Sequence, residues 1–539
     1  MNCRACESPN RPGARYCQKC SAPLPASCYG CGGPVRVDGE LCAACRTDRV
    51  PAQMDPEEIF TERASADVTA ITTVPFELRP LYTGRGDSIE RLVKAFVDSR
   101  ELGELAFAMI IGEPGMGKSR TVKEVARRLK GLAAETRFLV GAADAAGAPY
   151  AAFARLLSAR FGITGNESTA AAHDKITRGV AEVLPQQRVT EVAHLLAHLM
   201  RTPFEGSPVV EPLVETPQQL ESRTFIAVRR FLAADAAAGP LVLCFEDLEL
   251  CGPETINLLH YLAAGLSSSP VFILGTARAE LFERHPSFGE GDTPLHRVDL
   301  GALTADEAQG LMRELLKPLD TVPRTLLDHA VQLRDSPRAM FELVRLLLES
   351  EVIVRSGSMS WRIDTAALER MQLPTSYEGV VAARLRVMEQ AERDILERAA
   401  AVGEVFWLDA VVALLRVATT SDDPDGPTLA EIAASGDTTR VTVAQALAKL
   451  VEREWLHEVA DPSVPGEREY GFAYPHLWSH VYQAIDEGRR RDHHKVVARW
   501  LELRPEGRGA EAQEKIAEHL ELAGEVTAAA ARYRRAADA

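Results

Sequence analysis

Two sets of residues in this sequence have types and spacings that could do chemistry. Eight of the ten cysteines fall in the first 45 residues, as Cys3, Cys6, Cys17, Cys20, Cys28, Cys31, Cys42 and Cys45, and the arrangement CxxC, ten residues, CxxC occurs twice. Each CxxC turn offers two thiolates to one ion, and two turns complete the four-sulfur tetrahedron that structural zinc takes. Disulfides are the alternative, but they need an oxidising compartment, and Met1 is followed by cysteines and charges and not by an export signal. The pattern predicts two structural Zn²⁺ ions whose closed shells leave no position for substrate. The second set is Gly112, Glu113, Pro114, Gly115, Met116, Gly117, Lys118 and Ser119, which fits GxxxxGK[ST], with Arg120 following. Such a loop curls its amides round a polyphosphate, its lysine reaches the β and γ phosphates, and its serine hydroxyl serves Mg²⁺. Glycine at 115 and 117 keeps side chains clear of the nucleotide. ATP or GTP is the ligand class this predicts.

Those groups work only where strands and a helix hold them. Phe107–Ile111 (FAMII) reads as a short buried strand, and TVKEVARRL after the loop reads as a helix whose N-terminus faces the phosphates. Leu241–Asp247 (LVLCFED) is a second apolar strand, ending in two carboxylates. Glu246 is placed to hold the Mg²⁺ shell through water and Asp247 to polarise an attacking water. The plain alternative is a buried strand whose polar tip caps the next helix. Pro270–Arg278 is a third strand, with Thr276 and Arg278 as candidate γ-phosphate sensors and a surface ion pair as the arginine's other reading. Lys118, Glu246, Asp247 and Arg278 form the candidate catalytic set.

With all eight ligands present, the first segment resembles the double zinc ribbon family. From about Leu81 onward, YTGRGDSIERL, GEPGMGKS, FEDLELCGPETINLLHYLA and VFILGTARAEL make the chain resemble the signal-transduction ATPases with numerous domains (STAND), related to the AAA+ class. The nearest flavour is the ATPase region of bacterial multidomain regulators and soluble adenylyl cyclases, where double zinc ribbons also occur. The resemblance implies that LGALTADEAQGLMRELL begins a helical lid, and that Pro337 and Arg338 approach the nucleotide from the lid side. Asp335 and Ser336 depart from the glycine and asparagine common there, and Glu249, Leu250, Cys251 and Gly252 stand where many relatives carry His-Trp-Ala-Asp. A catalytic carboxylate as short as Asp247 fits slow hydrolysis. No segment is assignable as a cyclase, kinase or sigma-type effector domain.

A chain of 539 residues, 46% hydrophobic and 26% charged, is long and apolar enough for several cores. The expected division is 1–50 double zinc ribbon, 51–80 linker, 81–300 α/β P-loop NTPase core with a parallel sheet, 301–375 all-α lid, 376–485 winged-helix-like domain and 486–539 TPR-like helices. A net charge of −16 disfavours wholesale attachment to nucleic acid or anionic lipid. Local nucleic-acid contact through the ribbons or the winged helix stays open, although Glu452 and Glu454 beside Lys449 and Arg453 favour intramolecular packing. His194, His198, His493 and His494 read as structural before they read as metal ligands. No apolar run spans a membrane, and the expected location is cytoplasmic. The functional expectation is an ATP/ADP-binding regulatory switch with slow hydrolysis, meeting protein partners through its ribbons and C-terminal helices, with nucleotide-dependent self-association open. The rivals are an oligomeric AAA-type ATPase that remodels a partner and a DNA-binding transcriptional regulator.

Overall fold

The computed structural model describes residues 82–143, 148–164, 167–290, 293–356, 360–420, 437–459, 467–504 and 510–538. All lie in the second of the two units into which the chain divides, Arg63–Ala539. The cysteine quartets, the linker at 51–80 and the acidic loop at 421–427 lie outside the described residues.

Helix α1 (Gly86–Leu102) leads into β1 (Ala106–Ile111), α2 (Lys118–Leu132) and β2 (Arg137–Ala142). Four helices follow, α3 (Ala151–Phe161), α4 (Thr169–Ala181), α5 (Gln186–Leu199) and α6 (Pro217–Ala237), before β3 (Leu241–Glu246). The unit closes with α7 (Pro253–Gly265), β4 (Val271–Ala277), α8 (Glu280–Arg284) and β5 (Leu295–Asp299). The five strands form one parallel sheet in the order β2-β3-β4-β1-β5. All residues of β1, β3 and β4 are buried, which is why these strands read as continuous apolar runs and not as alternating ones. Ligands of open parallel sheets sit beyond the carboxyl ends of the strands, where the chain order reverses. Here β1 lies between β4 and β5, and its carboxyl end delivers Gly112. Helices α3–α6 add Phe153, Leu156, Ile176, Leu196 and Phe231 to the same core.

A second core is built by α9 (Ala305–Leu315), α10 (Arg324–Gln332) and α11 (Pro337–Glu349), a ribbon of β6 (Ile353–Arg355) and β7 (Trp361–Ile363), and α12 (Thr365–Arg370). The sequence reading had no strand here: the two are three residues each, too short for alternation to declare itself. Next come α13 (Tyr377–Val387), α14 (Gln390–Val402), β8 (Val405–Trp407), α15 (Leu408–Thr420), α16 (Asp437–Glu452), β9 (Leu456–Glu458), β10 (Glu469–Phe472) and α17 (Pro475–Ala484). Strands β8, β10 and β9 pair antiparallel in the order β8-β10-β9 and share a core with these helices. The last three helices are α18 (Glu487–Glu502), α19 (Ala510–Leu522) and α20 (Val526–Asp538). A turn with Gly524 at φ 84 joins α19 to α20, and Ala523 is buried beneath it. Among the described residues no helix is long and apolar enough to cross a membrane.

Candidate functional site

The phosphate-type loop is set by backbone before side chains. Its first amide, Gly112 N, donates to Ala277 O at 3.1 Å, which ties the loop to the end of β4. Gly115 and Gly117 have φ of 80 and 91, the left-handed region that a Cβ penalises. Gly117 caps α2, whose first turn carries no acid, so the positive end of the helix dipole is left uncompensated beside the loop. Lys118 is buried and its Nζ donates to Gly112 O at 2.8 Å, folding the ammonium back across the loop. Ser119 is half-buried at the start of α2, Met116 is buried, and Glu113 and Arg120 are exposed.

Across the loop stands the end of β3. Glu246 is buried, and its Oε1 has no hydrogen-bond partner among the described residues. Burial, reinforced by Asp247, pushes its carboxyl up to about 7, with Lys123 and Lys118 pulling the other way. Asp247 is exposed, in a left-handed conformation with φ 50, and its amide donates to Thr276 Oγ1 at 3.0 Å. Thr276 is fully buried, and its hydroxyl accepts this bond and so fixes the turn after β3. Arg278, one residue past β4, places Nε 3.1 Å from Glu249 Oε1 and Nη1 3.8 Å from Glu280 Oε1. The structure thus brings Lys118, Glu246 and Arg278 round one end of the sheet, with Asp247 at the exposed lip.

The start of α11 reaches the same loop. Ser336 caps α11 through its hydroxyl, and Arg338 N donates to Gly115 O at 3.2 Å. A Cβ on Gly115 would stand 3.0 Å from Arg338 Cβ, so the glycine is also what lets α11 come this close. The Arg338 guanidinium lies 3.2 Å from the Tyr474 ring centroid and 2.7 Å from a Glu342 oxygen. His476, just inside α17, has its imidazole pushed down by burial and by the charges of Arg278, His480 and Lys118. The Arg85 guanidinium donates to Met116 O and Gly301 O and its backbone amide donates to Glu307 Oε1, so one arginine joins the loop, the segment after β5 and α9.

Four of these residues, Arg85, Glu249, Tyr474 and His476, were given no role by sequence reasoning. The GR pair before α1 and the acid three residues past Glu246 were visible signals. Tyr474 and His476 were not, because nothing local says that a segment more than 350 residues past Gly115 folds back on it. Two of the histidines singled out in the sequence make structural contacts: His194 stacks on Phe204, with ring centroids 4.1 Å apart, and meets Ser207. His494 contacts His519 and Tyr482 at 2.8 Å each. Among the described residues no group of three or more side chains could hold a metal ion on its own. Charges at the end of α16 are engaged as well, since Lys449 and Arg453 pair with Glu392 and Glu454 pairs with Arg345.

The residues fit a nucleotide carried with Mg²⁺: a left-handed glycine cradle, a lysine turned across it and a buried carboxylate oxygen without a partner. No curated protein matches this sequence. Among solved structures, the chain is similar to a STAND protein with a tetratricopeptide repeat sensor from Pyrococcus horikoshii, at 13% identity and a TM-score of 0.38 over 86% of this chain. This chain spans 55% of that protein's length. It is also similar to the Aeropyrum pernix Orc1 protein in complex with DNA, at 16% identity and a TM-score of 0.33, covering 76% of this chain and 95% of that one. The Drosophila ORC bound to DNA follows at 13% identity and a TM-score of 0.32, covering 78% of this chain and 91% of that one. Two families match directly, the AAA ATPase domain over residues 82–274 and the double zinc ribbon over residues 3–46. The chain therefore carries an AAA ATPase domain, with the nucleotide and Mg²⁺ that this implies, and a zinc-binding double ribbon ahead of it.

Proposed function

We propose that this chain is an ATP-binding regulatory switch that hydrolyses its nucleotide slowly. The observation that carries the reading is Arg338, whose amide is bonded to Gly115 O of the loop while its guanidinium stacks on Tyr474 of the winged helix. One residue thus links the phosphate loop to a region whose position a signalling protein would report. In this reading the amides of residues 112–119 hold the polyphosphate, and Lys118 exchanges Gly112 O for the β and γ oxygens. Ser119 and Glu246 would hold Mg²⁺, which supplies charge neutralisation at the phosphates. Asp247, short and exposed, orients water poorly, which fits a timer better than a motor. The two cysteine quartets would each hold one structural Zn²⁺ and serve protein docking, as would the C-terminal helices.

Moving such a switch from mostly off to mostly on takes about 5.5 kcal/mol of differential binding. Triphosphate contacts to Lys118, Glu246 and Arg278 are the sources within the site. The test is hydrogen exchange of the full chain with Mg²⁺-ADP and with a non-hydrolysable ATP analogue. Wild type should show a nucleotide-dependent difference in residues 469–484, and Arg338→Ala should lose it while still binding both ligands. A difference that survives in Arg338→Ala, or none in wild type, overturns the reading. Sedimentation under the same conditions decides the oligomeric rival, for which a closed ring with fast turnover is required.

A further inference from the structure

Beyond the expected pair of acids, the turn after β3 carries a third. Glu249 sits on a single helical turn, Leu248–Leu250, with its side chain only 1% exposed. That turn is pinned at both ends. Asp247 N donates to Thr276 Oγ1 at 3.0 Å, and Arg284 Nη1 donates to Glu249 O at 2.9 Å, so the Glu249 carboxylate has little room to choose its direction. Apart from its own amide, no described residue offers either carboxylate oxygen an aligned hydrogen bond. What faces it is charge: Arg278 Nε at 3.1 Å, with Lys118 and Asp247 also acting on it.

Arg278 is equally well placed by the backbone. The preceding residue, Ala277, accepts the hydrogen bond of Gly112 N, so Arg278 leaves the sheet one residue from the root of the phosphate loop. Its side chain is 29% exposed and its charge, like that of Lys118, acts on His476, so both cations lie within electrostatic reach of one side chain. A guanidinium there is attracted to a terminal phosphate and repelled by Lys118. A carboxylate at 3.1 Å competes for it directly.

Resting on the nucleotide-switch reading above, we infer that Glu249 is a specificity-determining counter-ion: it holds Arg278 back from the phosphate loop, so that a triphosphate must win Arg278 from Glu249 and a diphosphate need not. Glu249 thereby sets how strongly the site prefers nucleoside triphosphate over diphosphate. It acts through Arg278 and is a positioning residue.

The experiment is calorimetric titration of the full-length chain with Mg²⁺-ADP and a Mg²⁺-bound non-hydrolysable ATP analogue, for wild type, Glu249→Gln, Arg278→Gln and the double variant. Glu249→Gln should raise the preference for the analogue over ADP by about fivefold, the lower end of ordinary coupling between sites. Arg278→Gln should lower that preference below wild type, and the double variant should match Arg278→Gln. Equal shifts for both nucleotides, a lost analogue preference in Glu249→Gln, or a gain that survives in the double variant each overturn the proposal. If Glu249→Gln does not fold, Arg278→Gln alone still decides, since an unchanged preference contradicts it. Failure of wild type to bind either nucleotide sinks the underlying reading instead, a result distinct from wild-type binding with an inert Glu249.

Discussion

The carboxylates at the centres of two buried charge clusters, Glu342 and Glu246, stand under opposite electrostatic conditions. Between α11 and α13, Glu342 is almost fully buried, yet it meets Arg338 at 2.7 Å, Arg345 at 2.9 Å and Arg384. Burial alone would raise its carboxyl, but the three guanidinium groups bring it down to about 2. Arg384 also pairs with Glu349 and lies 4.4 Å over the Trp455 ring, while Arg345 reaches Glu454, whose carboxyl burial pushes up to about 7 despite the arginines, so the low value belongs to Glu342 and not to the whole cluster. At the end of the sheet, Glu246 is also buried but is pushed up to about 7, and Glu249 moves in the same direction for the same first cause, burial. A buried carboxylate saturated by arginines is a structural joint. One that its own chain balances only in part, beside a phosphate-loop lysine, marks a binding site.

Removing the anion from each cluster should separate them sharply. Glu342→Gln leaves three arginines facing one another and should cost about 3–5 kcal/mol of stability, measured by urea unfolding with tryptophan fluorescence. The pH dependence has a definite sign. Glu342 has a folded value near 2, below its ordinary 4.5, so its contribution is fully present above pH 4.5 and is lost as pH falls toward 2. The gap between wild type and Glu342→Gln should therefore narrow between pH 7 and pH 3, and a constant gap would contradict the joint. Thr276→Val takes the acceptor from the partly buried Asp247 amide and should cost about 1 kcal/mol in the same assay. Glu246→Gln should cost the least, within about 1 kcal/mol of wild type or on the stable side, because it removes a poorly balanced buried charge. A loss as large as that of Glu342→Gln would erase the distinction between the two clusters.

Much of the sheet and loop was legible in the sequence because their signals are local. FAMII, LVLCFE and VFILGTA are buried on both faces and so are apolar throughout, and GEPGMGKS is fixed by what a polyphosphate needs. The helical insertion at 151–237 and the ribbon at 353–363 were not legible, the first because it interrupts the strand-helix alternation, the second because its strands are so short. At the site, types and spacing pointed to Lys118, Glu246 and Arg278. They did not reveal that Arg278 is held by Glu249, that Thr276 serves the turn, or that Arg338 joins the loop to Tyr474. Those facts depend on which distant segments the fold brings together.

The central claim is that residues 112–119, closed by Lys118, form a nucleotide site, and heat of binding tests it most directly. Titrating Mg²⁺-ATP into the full chain should give saturable binding, and Lys118→Ala, with its fold verified by circular dichroism, should weaken it by about a hundredfold, the worth of charge-assisted contacts to phosphate. A wild-type chain that takes up no purine nucleotide, or a Lys118→Ala chain that binds as tightly as wild type, would contradict the account.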